Sequence, residues 1–165
     1  MNFAIRPMQL GDIPQVLAME QPSDGAAHWS REIYEEFLRA SSLPAVKKFA
    51  LVAEADSALL GFVIGRVVLL EAELENIVVD AASHRQGVAL ALFDALAHSC
   101  QKAGAVELRL QVREGNSAAR AFYTRAEFLQ EARRPAYYRN PEEAALVLRK
   151  ELRQPPQPAS ASTKT

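Results

Sequence analysis

Three apolar runs rich in β-branched residues, at 49–53, 59–70 and 74–79, are followed after Asp80 by a change of period, with Val88, Leu92, Ala95 and Leu96 recurring at helical spacing until Gly104. Runs bounded by turn residues read as strands, and recurrence at three and four residues reads as one face of a helix. Such a chain must form an antiparallel meander and then enter a long helix through one tight turn. Asp56-Ser57 marks the first turn of the meander. Gly61 and Gly65 fall inside its second strand, where a missing side chain signals a bulge or a close backbone approach.

The flanks complete the pattern. Residues 2–6 read as a short strand, and Gly11-Asp12 precede a helix carrying Ile13, Val16, Leu17 and Met19. Ser30 is an N-cap for a second helix over 32–38, with Ile33, Phe37 and Leu38 on one face. Residues 106–112 form the next strand, Asn116 starts a helix reaching to 126, and Phe128 and 144–152 open two further strands. The order β-α-α-β-β-β-α-β-α-β-β predicts an α/β (α+β) domain, a mixed, mostly antiparallel sheet of about seven strands flanked by about four helices. Residues 1–152 make up that domain, and the Pro/Ser/Thr-rich stretch 153–165 reads as a flexible tail.

Composition removes several classes of function. A formal net charge of −1 lacks the basic footprint that nucleic-acid binding needs. Cys100 is the single cysteine, which excludes an internal disulfide and a cysteine-rich zinc site and suits a reducing cytoplasm. Its helical spacing from Phe93 and Leu96 makes it a core thiol rather than a nucleophile. His28 and His98 belong to no metal-ligand cluster, so no metal is expected. No run has a signal peptide's character or the roughly 18 apolar residues of a membrane span, so a cytoplasmic protein without membrane contact is expected.

The chemistry concentrates where the third strand meets the helix. Glu75-Asn76-Ile77-Val78-Val79-Asp80 leads into Ser83-His84-Arg85-Gln86-Gly87-Val88-Ala89-Leu90. The first N–H groups of a helix have no internal partners and the helix dipole adds positive potential there, so such a turn can cradle a pyrophosphate. Read alone, Gly87 and Ala89 equally suit a tight strand-to-helix turn with no ligand.

The turn does not stand alone, because it resembles the phosphate-binding motif of the GNAT acetyltransferases, Gln/Arg-x-x-Gly-x-Gly/Ala, with His84, Gly87 and Ala89 at its first, fourth and sixth positions. His84 departs from the pattern. Residues 110–123, from Leu110-Gln111-Val112 through Asn116 to Phe122-Tyr123, resemble the second signature of the same superfamily. Trp29-Ser30 and the run Arg133-Arg134-Pro135-Ala136-Tyr137-Tyr138 resemble its branch of bacterial ribosomal-protein alanine N-acetyltransferases.

That resemblance implies an enzyme that transfers acetyl from acetyl-CoA directly to a primary amine, without an acyl-enzyme. It implies a bulged strand over 74–79, splayed from the strand holding Gln111, with backbone groups of Ile77, Val78 and Val79 freed for pantetheine. Arg85, Gln86, Gly87, Val88, Ala89 and Leu90 then form the pyrophosphate turn. Tyr123 matches the tyrosine beside the cofactor sulfur, either protonating the departing thiolate or packing in the core. Asn116 matches a cofactor-contacting asparagine and is equally a helix cap.

Gln111 stands where the branch has a glutamate as general base, and an amide cannot take the proton. Glu75 is the substitute carboxylate expected across the gap, unless it is only an exposed strand residue and the amine arrives neutral. Trp29, Tyr137 and Tyr138 fall where the relatives wall a peptide groove, although aromatic residues in a β-rich hairpin also pack. The resemblance therefore implies a peptide or protein N-terminus as acceptor, with a small amine or a lysine side chain, or a CoA-binding module without turnover, as the alternatives.

Overall fold

The expected meander forms, and its register positions the remaining elements. A computed structural model describes residues 2–39 and 43–153. In chain order these contain β1 (Ala4–Pro7), α1 (Ile13–Glu20), α2 (Arg31–Leu38), β2 (Val46–Ala55), β3 (Ala58–Val68), β4 (Glu71–Val79), α3 (Val88–Lys102), β5 (Glu107–Arg113), α4 (Ser117–Arg125), β6 (Leu129–Tyr138) and β7 (Glu143–Glu151). All seven strands join one mixed sheet in the order β1-β2-β3-β4-β5-β7-β6. Its pairs are antiparallel except β4 with β5.

Alternation along β3 and β4 divides the core between two faces. Gly61 and Gly65 lie under α3, where an added Cβ would come within 3.1 Å of Leu92 and 2.9 Å of Leu96. Both glycines therefore mark close helix–sheet contact. On this face Val63, Val67, Leu92, Phe93 and Leu96 are buried with Leu108, Leu110 and Tyr123. On the other, Phe62, Ile64 and Val78 pack with Ile13 and Val16 of α1 and Tyr34 of α2. Each large side chain so buried contributes about 1.5–3 kcal/mol, and this burial holds the helices on their faces.

The feature that creates a site is the short parallel contact. β4 and β5 pair only at Glu71–Glu107, Ala72–Leu108 and Glu73–Arg109. Beyond those pairs β4 continues on β3 as far as the Val79–Gly61 pair, whereas β5 continues on β7 as far as Arg113–Ala145. A fork opens between them, the central splay that the resemblance implied.

Several boundaries differ from expectation: β4 begins at Glu71 and not at 74, β1 spans Ala4–Pro7 and not 2–6, and three others have a visible cause. β2 begins at Val46, because the exposed Lys47 and the lysine after it continue the strand despite their charge. The second apolar run, expected to 70, stops at Val68, and Leu69 turns the chain at φ 56°. Leu69 and Leu70 are 73% and 57% exposed, so an apolar turn with no Gly, Asn or Asp concealed the break. Phe128 opens no strand; it is buried just before β6 begins at Leu129. The expected tail from 153 lies, from residue 154 onward, outside the described residues.

Candidate active site

Ile64 pairs with Asn76 while Gly65 pairs with Leu74, so Glu75 is an extra residue inserted into β4. This is the expected bulge. Asn76 and Glu75 consequently both point to the α1–α2 face, where Glu75 Oε1 lies 3.0 Å from Arg66 Nε and Asn76 meets Glu20 and Tyr34. Glu75 Oε2 is buried without a hydrogen-bond partner. Burial pushes the Glu75 carboxyl pKa up, Glu73 adds to the rise, and the Arg66 guanidinium opposes it.

The free edge of β4 is set by the ladder. The Asp80 N–H donates to the Leu60 carbonyl at 2.9 Å, so alternation turns the amides of Val78 toward β3 and those of Ile77 and Val79 into the fork. Of the three residues expected to offer backbone groups there, two have this orientation. His84 Nε2 lies 3.0 Å from the Val79 carbonyl oxygen, and since a carbonyl only accepts, Nε2 carries the proton. The histidine that departs from the motif thus ties the turn to the strand.

Residues 84–87 form that turn, with Arg85, Gln86 and Gly87 exposed and Gln86 Nε2 donating to the Ala82 carbonyl at 3.0 Å. Gly87 is the N-cap of α3 at φ 81°, supplies no side-chain cap, and has no atom within 4 Å of the Cβ it lacks. The first N–H groups of α3, at Val88, Ala89 and Leu90, therefore have neither an intrahelical acceptor nor a side-chain cap from Gly87. These features fit a pyrophosphate, and the unpaired edge of β4 fits an amide-bearing chain lying along it.

Tyr123, in α4, is buried in the core on the α3 side of the sheet. It is 5% exposed, its ring 5.3 Å from that of Phe122 and 5.4 Å from that of Phe128. Burial, with a smaller contribution from Tyr138, raises its hydroxyl pKa, so the group stays protonated and can donate. Asn116 caps α4, its Oδ1 accepting the Ala119 N–H at 3.1 Å, which leaves Nδ2 for other partners. Tyr138 is half-buried under the Arg113 guanidinium at 4.2 Å, and Tyr137 is 47% exposed beside it. Trp29 packs its ring on Tyr34 at 5.4 Å and Phe37 at 5.6 Å, so it serves the core of its own face as well as the surface.

On the α1–α2 face, a cavity of about 260 Å³ lies at the root of the fork, lined by Gln111, Glu73, Arg66, Arg109 and Arg134 among others. Gln111 faces this cavity; Glu75 does not line it and connects to it through Arg66. Glu73, which strand alternation places two residues before Glu75 on the same face, is the carboxylate that sequence reasoning missed. A larger cavity of about 560 Å³ between α2 and β2 contains none of the expected site residues. We place the site at the fork, where free backbone groups, an uncapped helix and a buried acid converge. Among the described residues, no cluster of three or more His, Cys, Asp or Glu could hold a metal, and no helix is long and apolar enough to cross a membrane.

Comparison with known proteins agrees with this geometry. The model of the acetyltransferase (GNAT) family matches residues 13–128. The chain is 33% identical over 139 residues to the [ribosomal protein bS18]-alanine N-acetyltransferase of Escherichia coli K12, covering 81% of this chain and 86% of that protein. The crystal structure of the ribosomal-protein-S18-alanine N-acetyltransferase from Escherichia coli superposes with a TM-score of 0.79 at 27% identity, over 93% of this chain and 96% of the other. Ard1 from Thermoplasma volcanium superposes at 0.81 with 24% identity over 93% and 100%, which is a likeness of fold.

Proposed function

The chain belongs to the GNAT acetyltransferase family and is an acetyl-CoA-dependent N-acetyltransferase; we propose that its acceptor is the α-amino group of a protein N-terminus, of the ribosomal-protein alanine type. The observation that carries this reading is the fork itself, open beside the uncapped N-terminus of α3 and, on the α1–α2 face, beside a cavity lined by Gln111 and Glu73. The relatives with full-length similarity carry that acceptor in their names. A cytoplasmic location follows from the same reading, since ribosomal proteins are made there.

Acetyl-CoA supplies the activated acetyl thioester. In our reading the N–H groups of Val88, Ala89 and Leu90 in the turn of Arg85, Gln86 and Gly87 hold its pyrophosphate, and Asn116 Nδ2 adds a contact. The amides of Ile77 and Val79 hold the pantetheine arm, while Val78 packs beneath. Trp29, Tyr137 and Tyr138 flank the acceptor peptide. Tyr123 donates its hydroxyl proton to the departing thiolate, which leaves as the thiol. Glu75, with one oxygen unpartnered and its pKa raised, takes the amine proton through a water, replacing the base that Gln111 cannot be.

Thiol release from acetyl-CoA, followed with a panel of peptides, tests the acceptor. Peptides beginning with alanine should support turnover, whereas the same peptides blocked at the α-amine but carrying lysine should not. Preference for the blocked lysine peptides or for small amines would refute the acceptor reading. Gln111 favours one second reading, a CoA-binding module without turnover. Acetyl-CoA binding without thiol release for any amine would establish it.

A further inference from the structure

Glu20, the last residue of α1, is a carboxylate only 2% exposed. A buried carboxylate persists only where donors satisfy both oxygens, and here each donor is neutral. Oε1 accepts Asn76 Nδ2 at 2.8 Å and the Trp29 N–H at 3.4 Å, and Oε2 accepts the Tyr34 hydroxyl at 2.9 Å. Asn76 Nδ2 also lies 3.2 Å from the Tyr34 oxygen, and Asn76 Oδ1 accepts the Ala27 N–H at 3.3 Å. Tyr34 and Asn76 are 0% and 4% exposed, so three buried polar side chains satisfy one another and two backbone amides.

Those two amides flank His28, which adopts φ 52°, a left-handed conformation unfavourable for a residue with a Cβ. Capture of the N–H on either side holds the loop in this shape. The loop, residues 21–30, is therefore fastened to the bulge of β4. Its middle reaches the other arm of the fork: a Cβ on Gly25 would lie 2.9 Å from Asn116 Nδ2, at the cap of α4. The loop thus runs from β4 to α4 across the open end of the fork.

We propose that Glu20, Tyr34 and Asn76 form a latch holding residues 21–30 across the fork, and that Glu20 is thereby a positioning residue for the acceptor amine. The latch stands on geometry; its service to the acceptor rests on the function proposed above. It fixes Trp29 over the α1–α2 face, and it fixes Asn76, hence the bulge and the direction of Glu75. The pyrophosphate turn and the pantetheine edge lie elsewhere, on α3 and β4, and the loop meets the proposed cofactor contacts only at Asn116, which its own cap bond to the Ala119 N–H holds in place, so the latch acts on the acceptor rather than on acetyl-CoA.

Trp29 is the only tryptophan, so its fluorescence reports the loop whether or not the chain turns over. Glu20→Gln places an N–H₂ group where an oxygen accepts, and Tyr34→Phe removes one donor while keeping the ring against Trp29. Measured on the full chain well below the melting temperature, both variants should increase acrylamide quenching of Trp29. Each should raise the KM of an alanine-first peptide at least about tenfold, the worth of a hydrogen bond to a charged group. Acetyl-CoA affinity by calorimetry should remain within about twofold of wild type. A folded variant with unchanged Trp29 quenching would overturn the latch, and exposed Trp29 with unchanged peptide KM would overturn the positioning role. If Glu20→Gln does not fold, Tyr34→Phe decides both points. If the wild-type chain acetylates no peptide, the acceptor reading and the positioning role fall together, while the Trp29 measurement still decides the latch.

Discussion

Glu75→Gln should make the protein more stable and less active, and both effects follow from the same carboxylate. Its Oε2 is buried with no partner, and such a charged group costs about 1–3 kcal/mol. The opposing ion pair is with Arg66, whose side chain is 45% exposed, and pairs of that kind are worth about 0.2–1 kcal/mol. The neutral amide thus recovers about 1 kcal/mol, or about 2–4 °C in melting temperature for a chain of this size. Because burial raises the folded-state pKa, the protonated carboxyl is the better-tolerated form. Stability on its account is full below the unfolded pKa of about 4.3 and is lost as pH rises through the raised folded value. The advantage of Glu75→Gln should therefore be present at neutral pH and vanish toward pH of about 4. Activity moves the other way. Wild-type turnover should fall as pH drops through the raised pKa, and the variant should lose about 10²–10⁴-fold together with that acid limb. Thiol release across the pH range, under conditions where chemistry limits, measures the rate, and calorimetric melting at matched pH measures the stability. Gln111→Glu places a second carboxylate at the cavity beside the fork and should raise the rate. An unchanged rate at every pH would show that the enzyme selects an already neutral amine, and an unchanged or lower melting temperature would refute the desolvation argument.

Three further outcomes are expected. Tyr123→Phe removes a hydroxyl that burial keeps protonated and leaves the packing on Phe122 and Phe128, so acetyl-CoA affinity should hold while turnover falls about 10²–10⁴-fold; unchanged turnover makes Tyr123 a packing residue. Gly87→Asp finds open space for its side chain, puts a Cβ at φ 81° at a strain of about 1–2 kcal/mol, and sets a carboxylate against the proposed phosphate site, so the melting temperature should fall somewhat and calorimetry should show acetyl-CoA affinity reduced more than about tenfold; retained affinity removes the assignment of the turn. Cys100 is fully buried with its thiol pushed up to about 12, so a chromogenic thiol reagent should label it only after denaturation; stoichiometric labelling of the folded chain would contradict its place in the core.

What the sequence discloses depends on whether a residue's neighbours are local. Helix α3 and its turn are legible because Gly87, Val88, Leu92 and Leu96 signal their structure to one another within three turns. The fork is legible only through resemblance, since no period in β4 or β5 says that their pairing ends after Glu73–Arg109. The Glu20 latch is not legible: a glutamate at a helix end reads as solvent-facing, and its partners Tyr34 and Asn76 lie 14 and 56 positions away. The bulge shows why such contacts matter to the chemistry. With Glu75 set aside, Leu74 and Ile77 fall on the α3 face and Asn76 and Val78 on the α1–α2 face, in unbroken alternation, while Gly65 and Ile64 find consecutive partners. The sheet therefore does not need residue 75. It is an insertion the sheet does not need, it carries an incompletely paired carboxylate, and it is braced next door by the bond from Asn76 to Glu20, which is the setting in which bulges beside active sites are found. On the proposed mechanism, the base that Gln111 cannot be would lie one strand away, on a residue whose direction the proposed Glu20 latch sets.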